Sequence, residues 1–232
     1  MLILGRIFRL EAWARGCQAT HWTGLALFCA LIFGAMSSAG MARAAESPPS
    51  PDASLEAAVL HDPACPVAGN PSGDVTIVAF LDYNCPYCKR SDSGLAALIA
   101  RDPKVRVVYK DWPILTKSSV AAAKIAIAAA WQGKYFEVHE ALMRMNGRPA
   151  TDEDISRAVV ASGVDVSRLN RDLDRRDDEI VALLKRNMAE ADALGLQGTP
   201  VYIIGNAIEV SVLDAAGFKD AVAKARKQVA RH

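Results

Sequence analysis

The sequence predicts an α/β fold in which an all-helical domain is inserted between a βαβ unit and a ββα unit. Residues 75 to 109 read as a strand-like run, a helical apolar spacing and a second strand-like run, which indicates a parallel strand pair joined by a helix. Strand-like runs return only after residue 200, and the segment between residues 117 and 194 has helical periodicity throughout.

The N-terminal segment has the three parts of a secretory signal peptide. Three arginines within the first 15 residues precede an apolar, uncharged run over residues 24–36, and Ala42-Arg43-Ala44 fits the small-x-small cleavage rule. We therefore expect residues 1–44 to be a signal peptide. An uncleaved membrane anchor is the alternative, because the uncharged stretch extends from residue 23 to 42, although its second half is only weakly apolar.

The composition is that of a globular protein with a sizeable core. Of 232 residues, 51% are hydrophobic, and the formal net charge is +1. A chain so close to neutral gives no electrostatic reason to expect binding to nucleic acid or to an anionic membrane. Residues 45–73 are rich in proline, serine and glycine near their ends and are expected to form a leader into the fold.

The first predicted strand covers residues 75–81, whose continuous apolar, β-branched character is typical of a strand covered on both faces. A helix is expected over residues 85–100, since Leu95, Leu98 and Ile99 have helical spacing and Pro86 suits a first helical turn. The next strand is expected over residues 105–109.

Capping patterns mark the later helices and turns. Thr151 with Asp154 is typical of a capping box, and Asp165 is expected to cap a short helix. Residues 201–204 and 207–210 predict a hairpin around Gly205-Asn206. Ser211 with Asp214 is expected to cap the last helix.

The motif Cys85-Pro86-Tyr87-Cys88 carries the candidate chemistry. A thiol at a helix N-terminus lies where free N–H groups and the helix dipole favour an anion, which lowers its pKa and makes it a nucleophile. We therefore expect Cys85 to attack or be attacked, and Cys88, one turn inside the helix, to resolve the mixed disulfide. Cys65 would then be a left-over thiol, and a free or buried state is favoured over an intermolecular disulfide.

Two other interpretations of this motif were weighed. The spacing also occurs in zinc sites, but there is no second pair of this kind, and His61, His139 and His232 lack ligand-like spacing. No metal and no cofactor is therefore expected. A purely structural disulfide is the other alternative, although a strand-to-helix turn rarely needs one.

Several motifs resemble the DsbA-like branch of the thioredoxin superfamily. They cover residues 62–228 in the family's order: Gly69 to Thr76, Phe80 to Lys89, Trp112 to Leu115, the alanine-rich stretch from Ser119 to Trp131, and Gly198-Thr199-Pro200. The resemblance implies a thioredoxin-like fold with a helical insert, which agrees with the order of predicted elements. We accordingly assign residues 74–113 and 198–232 to a thioredoxin-like domain and residues 114–197 to an inserted helical domain.

The resemblance also implies a substrate-binding role for Thr199 and Pro200. Pro200 would be a cis-proline facing the cysteines, leaving the backbone of Thr199 free to pair with an extended substrate. An ordinary strand-start proline is the alternative.

The sequence departs from the family pattern beneath the dithiol. Many relatives carry a buried carboxylate six positions before the first cysteine, where this chain has Ala79. Asp82 is expected to cap a loop, and Lys110 to be a solvated lysine at a strand end. Proton transfer at Cys88 would then use water.

Pro86 and Tyr87 are expected to tune the redox potential. Without an imidazole beside the thiolate, the disulfide should be less oxidising than in the strongly oxidising members. Thr199 is similar to the isomerase and reductase branches, yet the leader is shorter than the N-terminal stems of proofreading isomerases. Both directions of exchange therefore stay open.

The resulting prediction is a periplasmic or otherwise exported thiol–disulfide oxidoreductase. Its partners would be exported cysteine-containing proteins and a membrane redox partner, either a quinone-linked oxidase or an electron donor. The alternatives are a non-catalytic, chaperone-like binding module, and a copper or zinc carrier that uses the thiols of Cys85 and Cys88.

Overall fold

A computed structural model describes residues 51–145 and 149–229, so the predicted signal peptide lies outside the described residues. Within them, the strands are β1 (Val67–Gly69), β2 (Val75–Leu81), β3 (Val105–Asp111), β4 (Val201–Ile204) and β5 (Ala207–Glu209). The helices are α1 (Pro51–His61), α2 (Pro86–Arg101), α3 (Lys117–Ala130), α4 (Tyr135–Met143), α5 (Asp152–Ala161), α6 (Val166–Arg175), α7 (Asp177–Ala193) and α8 (Ala215–Val229).

The sheet has the order β1-β3-β2-β4-β5, and β2 and β3 form its parallel pair. Helix α2 makes the crossover between them, as the sequence predicts. The inner residues of β2, from Ile77 to Phe80, are completely buried. Helices α3 to α7 lie between β3 and β4 in the chain, so the predicted order of a βαβ unit, a helical insert and a ββα unit is confirmed.

One face of the sheet carries Ala79, Tyr109 and Tyr202, which lie side by side in register on β2, β3 and β4. The Tyr109 ring packs edge-on against Phe136 of α4, and the Tyr202 ring packs against Phe218 of α8. Since strand side chains alternate between faces, Phe80 and Lys110 point to the opposite face. This arrangement decides which groups can lie beneath the dithiol.

One expectation about this part of the chain was wrong, one was confirmed only in part, and one strand was missed. Lys110 is not solvated: its side chain is completely buried, with Nζ 2.7 Å from Oε2 of Glu190 on α7. The last helix is capped by Asp214 alone, whose carboxylate accepts the N–H of Gly217 at 2.8 Å. Strand β1, which pairs with β3, was missed because it has only three residues between turn-forming ones.

Two other caps follow the sequence patterns. Thr151 and Asp154 form a reciprocal capping box at the start of α5. Asp165 accepts the N–H of Arg168 at 2.9 Å at the start of α6. Across residues 51–145 and 149–229, we find no helix with both the length and the apolar character needed to cross a membrane.

Candidate active site

The two cysteines of the motif lie at the start of α2. Cys85 is the N-cap residue, Pro86 occupies the first turn, and the N–H of Cys88 donates to Sγ of Cys85 at 3.4 Å. Both thiols are reduced and buried. The spacing therefore brings the two thiols within one helical turn, with Sγ of Cys85 at the N-terminus of α2.

The pKa values of the two thiols are shifted in opposite directions. A hydrogen bond from the Cys88 thiol lowers the pKa of Cys85 to about 6, with further help from Thr199 and from the amides of Cys88 and Tyr87, against an opposing effect of burial. Burial is the main cause that raises the pKa of Cys88 far above its ordinary value. At neutral pH, Cys85 is therefore mostly a thiolate and Cys88 a thiol.

Thr199 lies directly against Cys85, and Pro200 follows it in the chain. The peptide bond between them is cis, as the resemblance implies, and the Cys85 thiol donates to the backbone carbonyl of Thr199 at 3.1 Å. Strand β4 begins at the next residue, Val201. A carbonyl at a strand start, beside the reactive sulfur, is placed where it can also accept a hydrogen bond from an extended peptide.

Exposed apolar side chains lie on α2 next to Cys85 and on a loop joined to the active-site loop. Tyr87 is 51% exposed, and the guanidinium of Arg90 lies 4.6 Å from the centre of its ring. Ile114 and Leu115, in the loop after β3, are also exposed. The loop carrying them is joined to the active-site loop, so these side chains belong to the same edge of the sheet.

Asp82 makes that connection. Its carboxylate accepts the N–H groups of Asn84, Ile114 and Leu115 at 2.7, 2.9 and 3.0 Å. The loop-capping role expected from the sequence is confirmed, and it extends to a second loop. Asp82 is only 1% exposed, so its charge is held by these three amides.

Asn84 is a structural residue of the site that the sequence reasoning missed. Its amide nitrogen lies within 3.0 Å of the hydroxyls of Thr116, Ser118 and Ser119 at the start of α3, and its oxygen accepts the N–H of Ala150 at 2.8 Å. No local pattern signals this role, because every partner is distant in sequence. Asn84 thus fixes the residue before Cys85 to the helical insert.

Replacing Asn84 with alanine should lower the free energy of unfolding by about 1–3 kcal/mol, because buried donors and acceptors would lose their partner. Urea denaturation of the reduced protein measures this change. Asn170→Ala, at a half-buried position on α6, is the matched control and should have a much smaller effect. Equal stability of the two variants would contradict this role for Asn84.

Among the residues that the structure describes, no group of three or more histidine, cysteine, aspartate or glutamate side chains is arranged to hold a metal ion. Cys65 lies apart from the dithiol. It is buried, its Sγ is 3.7 Å from Oδ1 of Asn187, and burial raises its pKa to about 11.

A thioredoxin-like sheet with a dithiol at a helix N-terminus defines the class of thiol–disulfide oxidoreductases. The family model of the DSBA-like thioredoxin domain matches residues 76–223. The chain belongs to this family.

Several solved structures are similar to this chain. A thioredoxin-like oxidoreductase from Silicibacter pomeroyi is 42% identical, with a TM-score of 0.69, over 74% of this chain and 97% of that one. A periplasmic thioredoxin-like protein from Salmonella enterica is 30% identical, with a TM-score of 0.64, over 74% and 95%. The thiol-disulfide exchange protein α-DsbA2 from Wolbachia pipientis is 30% identical, with a TM-score of 0.68, over 77% and 99%.

Curated relatives include much longer proteins. The Na⁺/H⁺ antiporter NhaA 3 from Salinispora tropica is 31% identical over 143 residues, which is 60% of this chain and 21% of the antiporter. NhaA 1 from Mycolicibacterium gilvum is 26% identical over 65% of this chain and 25% of its own length. The chain thus spans about a fifth to a quarter of the length of these relatives.

Proposed function

We propose that this protein exchanges disulfides with exported cysteine-containing proteins, using Cys85 as the substrate-facing sulfur and Cys88 as the resolving one. The observation that carries the proposal is the placement of two free thiols within one helical turn, with Sγ of Cys85 accepting the N–H of Cys88 at the N-terminus of α2. A low pKa makes Cys85 both a thiolate at neutral pH and a good leaving group. The high pKa of Cys88 keeps it protonated until the mixed disulfide has formed.

In the oxidising direction, a substrate thiolate attacks Sγ of Cys85 in the Cys85–Cys88 disulfide, and Cys88 leaves and takes up a proton. A second substrate thiolate then attacks the substrate sulfur of the mixed disulfide, and Cys85 leaves as a thiolate. The substrate gains a disulfide, and its two electrons stay on the dithiol. In the reducing direction, the thiolate of Cys85 attacks a substrate disulfide and one substrate sulfur leaves as a thiolate. Cys88 then loses its proton and attacks Sγ of Cys85, which releases the second substrate thiolate and leaves the Cys85–Cys88 disulfide.

Thr199 and Pro200 are proposed to hold the substrate chain. When Cys85 is protonated, the Thr199 carbonyl accepts its thiol. The thiolate of Cys85 and the Cys85–Cys88 disulfide both lack this proton, so in either form the carbonyl is free for a substrate N–H. Tyr87, Ile114 and Leu115 would then contact apolar side chains of the substrate.

Export and a membrane redox partner belong to the same proposal. The signal-like features of residues 1–44 support export, and one of the similar structures is described as periplasmic. The dithiol can catalyse repeated exchange only if its starting redox state is restored after each reaction. Oxidation by a quinone-linked membrane protein, or reduction by a membrane electron donor, would return Cys85 and Cys88 to the starting state.

The decisive experiment traps the intermediate. With Cys88→Ala, the mixed disulfide between Cys85 and a substrate protein cannot be resolved and should accumulate as a reducible band on a non-reducing gel. Cys65→Ala is the matched control and should turn over like the wild type. Multiple turnover by Cys85→Ser, either in dithiol oxidation or in insulin reduction, would exclude the proposal and favour a binding module that does not use the dithiol.

A further inference from the structure

His139 is a buried side chain that the proposed exchange does not use. It lies on α4, and both ring nitrogens have partners: Nδ1 is 3.0 Å from the hydroxyl of Tyr83, and Nε2 is 3.0 Å from Oδ1 of Asp92. Tyr83 lies two residues before Cys85, and Asp92 lies one helical turn after Cys88. One imidazole of the helical insert therefore contacts both segments that hold the dithiol.

The groups that face His139 form a closed polar and aromatic cluster. Tyr135 of the same helix stacks on its ring, with centroids 5.7 Å apart, and Tyr109 of β3 packs edge-on at 5.0 Å. The Tyr135 hydroxyl donates to the carboxylate of Asp111, at the end of β3, at 3.1 Å. The titratable groups around the imidazole are thus Tyr83, Asp92, Tyr109, Asp111 and Tyr135.

One group of this cluster, the carboxyl of Asp111, can change its charge near pH 6. Burial raises the pKa of Asp111 to about 6, and the positive form of His139 would favour its ionised state. Burial also raises the pKa of Tyr83 and Tyr135 well above their ordinary values, so both stay neutral. Asp111 is therefore the site at which this cluster gains or loses a proton near pH 6.

This chain lacks the acid that many relatives carry beneath the dithiol, whereas one member of the cluster, Asp92, lies one helical turn from Cys88. At Ala79 there is no acid beneath the dithiol, and Lys110 points to the other face of the sheet. Asp92 is four residues after Cys88, so the two side chains share one face of α2. The Asp92–His139 pair therefore lies one helical turn from Cys88, on the same face of α2.

We propose that His139 is a positioning residue for the dithiol, joining the active-site loop through Tyr83 to helix α2 through Asp92. The inference rests on the proposed function in taking Cys85 as the reactive thiol. Gain or loss of a proton in the cluster changes which of these hydrogen bonds can form. The reactivity of Cys85 should therefore depend on a second ionisation besides its own.

The experiment measures the rate of Cys85 alkylation by iodoacetamide from pH 4 to pH 9 in the full chain. The wild type should show two ionisations, whereas His139→Phe, which keeps a ring for stacking, should show one. Its rate at pH 6 should fall about tenfold, since small displacements of a reacting group are costly. Tyr83→Phe removes only a hydroxyl and should also lose the second ionisation.

His61→Phe, at an exposed histidine on α1, is the matched control and should keep both ionisations. If His139→Phe does not fold, Tyr83→Phe provides the test. A single ionisation in the wild type, or an unchanged profile in a folded variant, would overturn this inference while leaving the exchange reaction intact. A wild-type midpoint near that of an ordinary thiol would instead count against the proposed function itself.

Discussion

At pH 6, Cys85 of the reduced protein should be alkylated by iodoacetamide about 20-fold faster than a cysteine in an unstructured peptide. Its pKa is lowered from an ordinary 9.0 to about 6, so about half of it is thiolate at this pH. This raises the thiolate fraction about 500-fold, while a less basic sulfur is about 20-fold less nucleophilic. The gain in thiolate therefore outweighs the loss of intrinsic nucleophilicity.

Mass spectrometry of the alkylated protein provides the internal controls. Cys65 and Cys88 have raised pKa values, so they carry almost no thiolate at pH 6 and should stay unmodified. A Cys85 profile with its midpoint near pH 9 would contradict the acidity on which the exchange reaction depends.

The same pKa makes the stability of the reduced protein depend on pH. The folded-state pKa of Cys85 is lower than the unfolded one, so its contribution is fully present above about pH 9 and is lost as the pH falls through about 6. At pH 7 it amounts to roughly 1 kcal/mol. The disulfide form lacks this thiolate, so unfolding of the reduced form alone should show this dependence.

The local patterns of the sequence were sufficient for the elements around the dithiol. Strand β2, helix α2 and the hairpin of β4 and β5 each follow from apolar spacing and turn residues within about 20 positions. The placement of Cys85 at a helix start is equally local, because proline and the strand before it mark that boundary. These features could be predicted from one sequence.

Features that depend on distant partners could not be predicted in this way. Strand β1 exists because it pairs with β3, some 40 residues later. His139 has a polar role only because Tyr83 and Asp92 meet it from other segments. The alternation of side chains along β3 predicts that Lys110 and Tyr109 point to opposite faces of the sheet. It does not predict that α7, at the end of the helical insert, pairs with Lys110 through Glu190.

Lys110 leads to the largest stability effect that we expect. Replacing Glu190 with alanine should destabilise the protein by about 3–5 kcal/mol, because a buried ammonium would lose its counter-ion. The Lys110 side chain is completely buried and that of Glu190 is 8% exposed, with Nζ and Oε2 2.7 Å apart. Nζ would keep its hydrogen bond to the carbonyl of Ala58, at 3.3 Å. Urea denaturation of the reduced protein measures the change.

The double variant Lys110→Met with Glu190→Leu distinguishes an unpaired charge from lost packing. Because both charges are removed, it should be close to the wild type in stability or within about 1–2 kcal/mol of it. Arg186→Ala removes the nearby, more exposed ion pair with Asp62 and should cost only about 0–1 kcal/mol. If Glu190→Ala lowered the free energy of unfolding as little as Arg186→Ala, the charge of Lys110 would have to be solvated. The buried ion pair would then not be what holds α7 against the sheet.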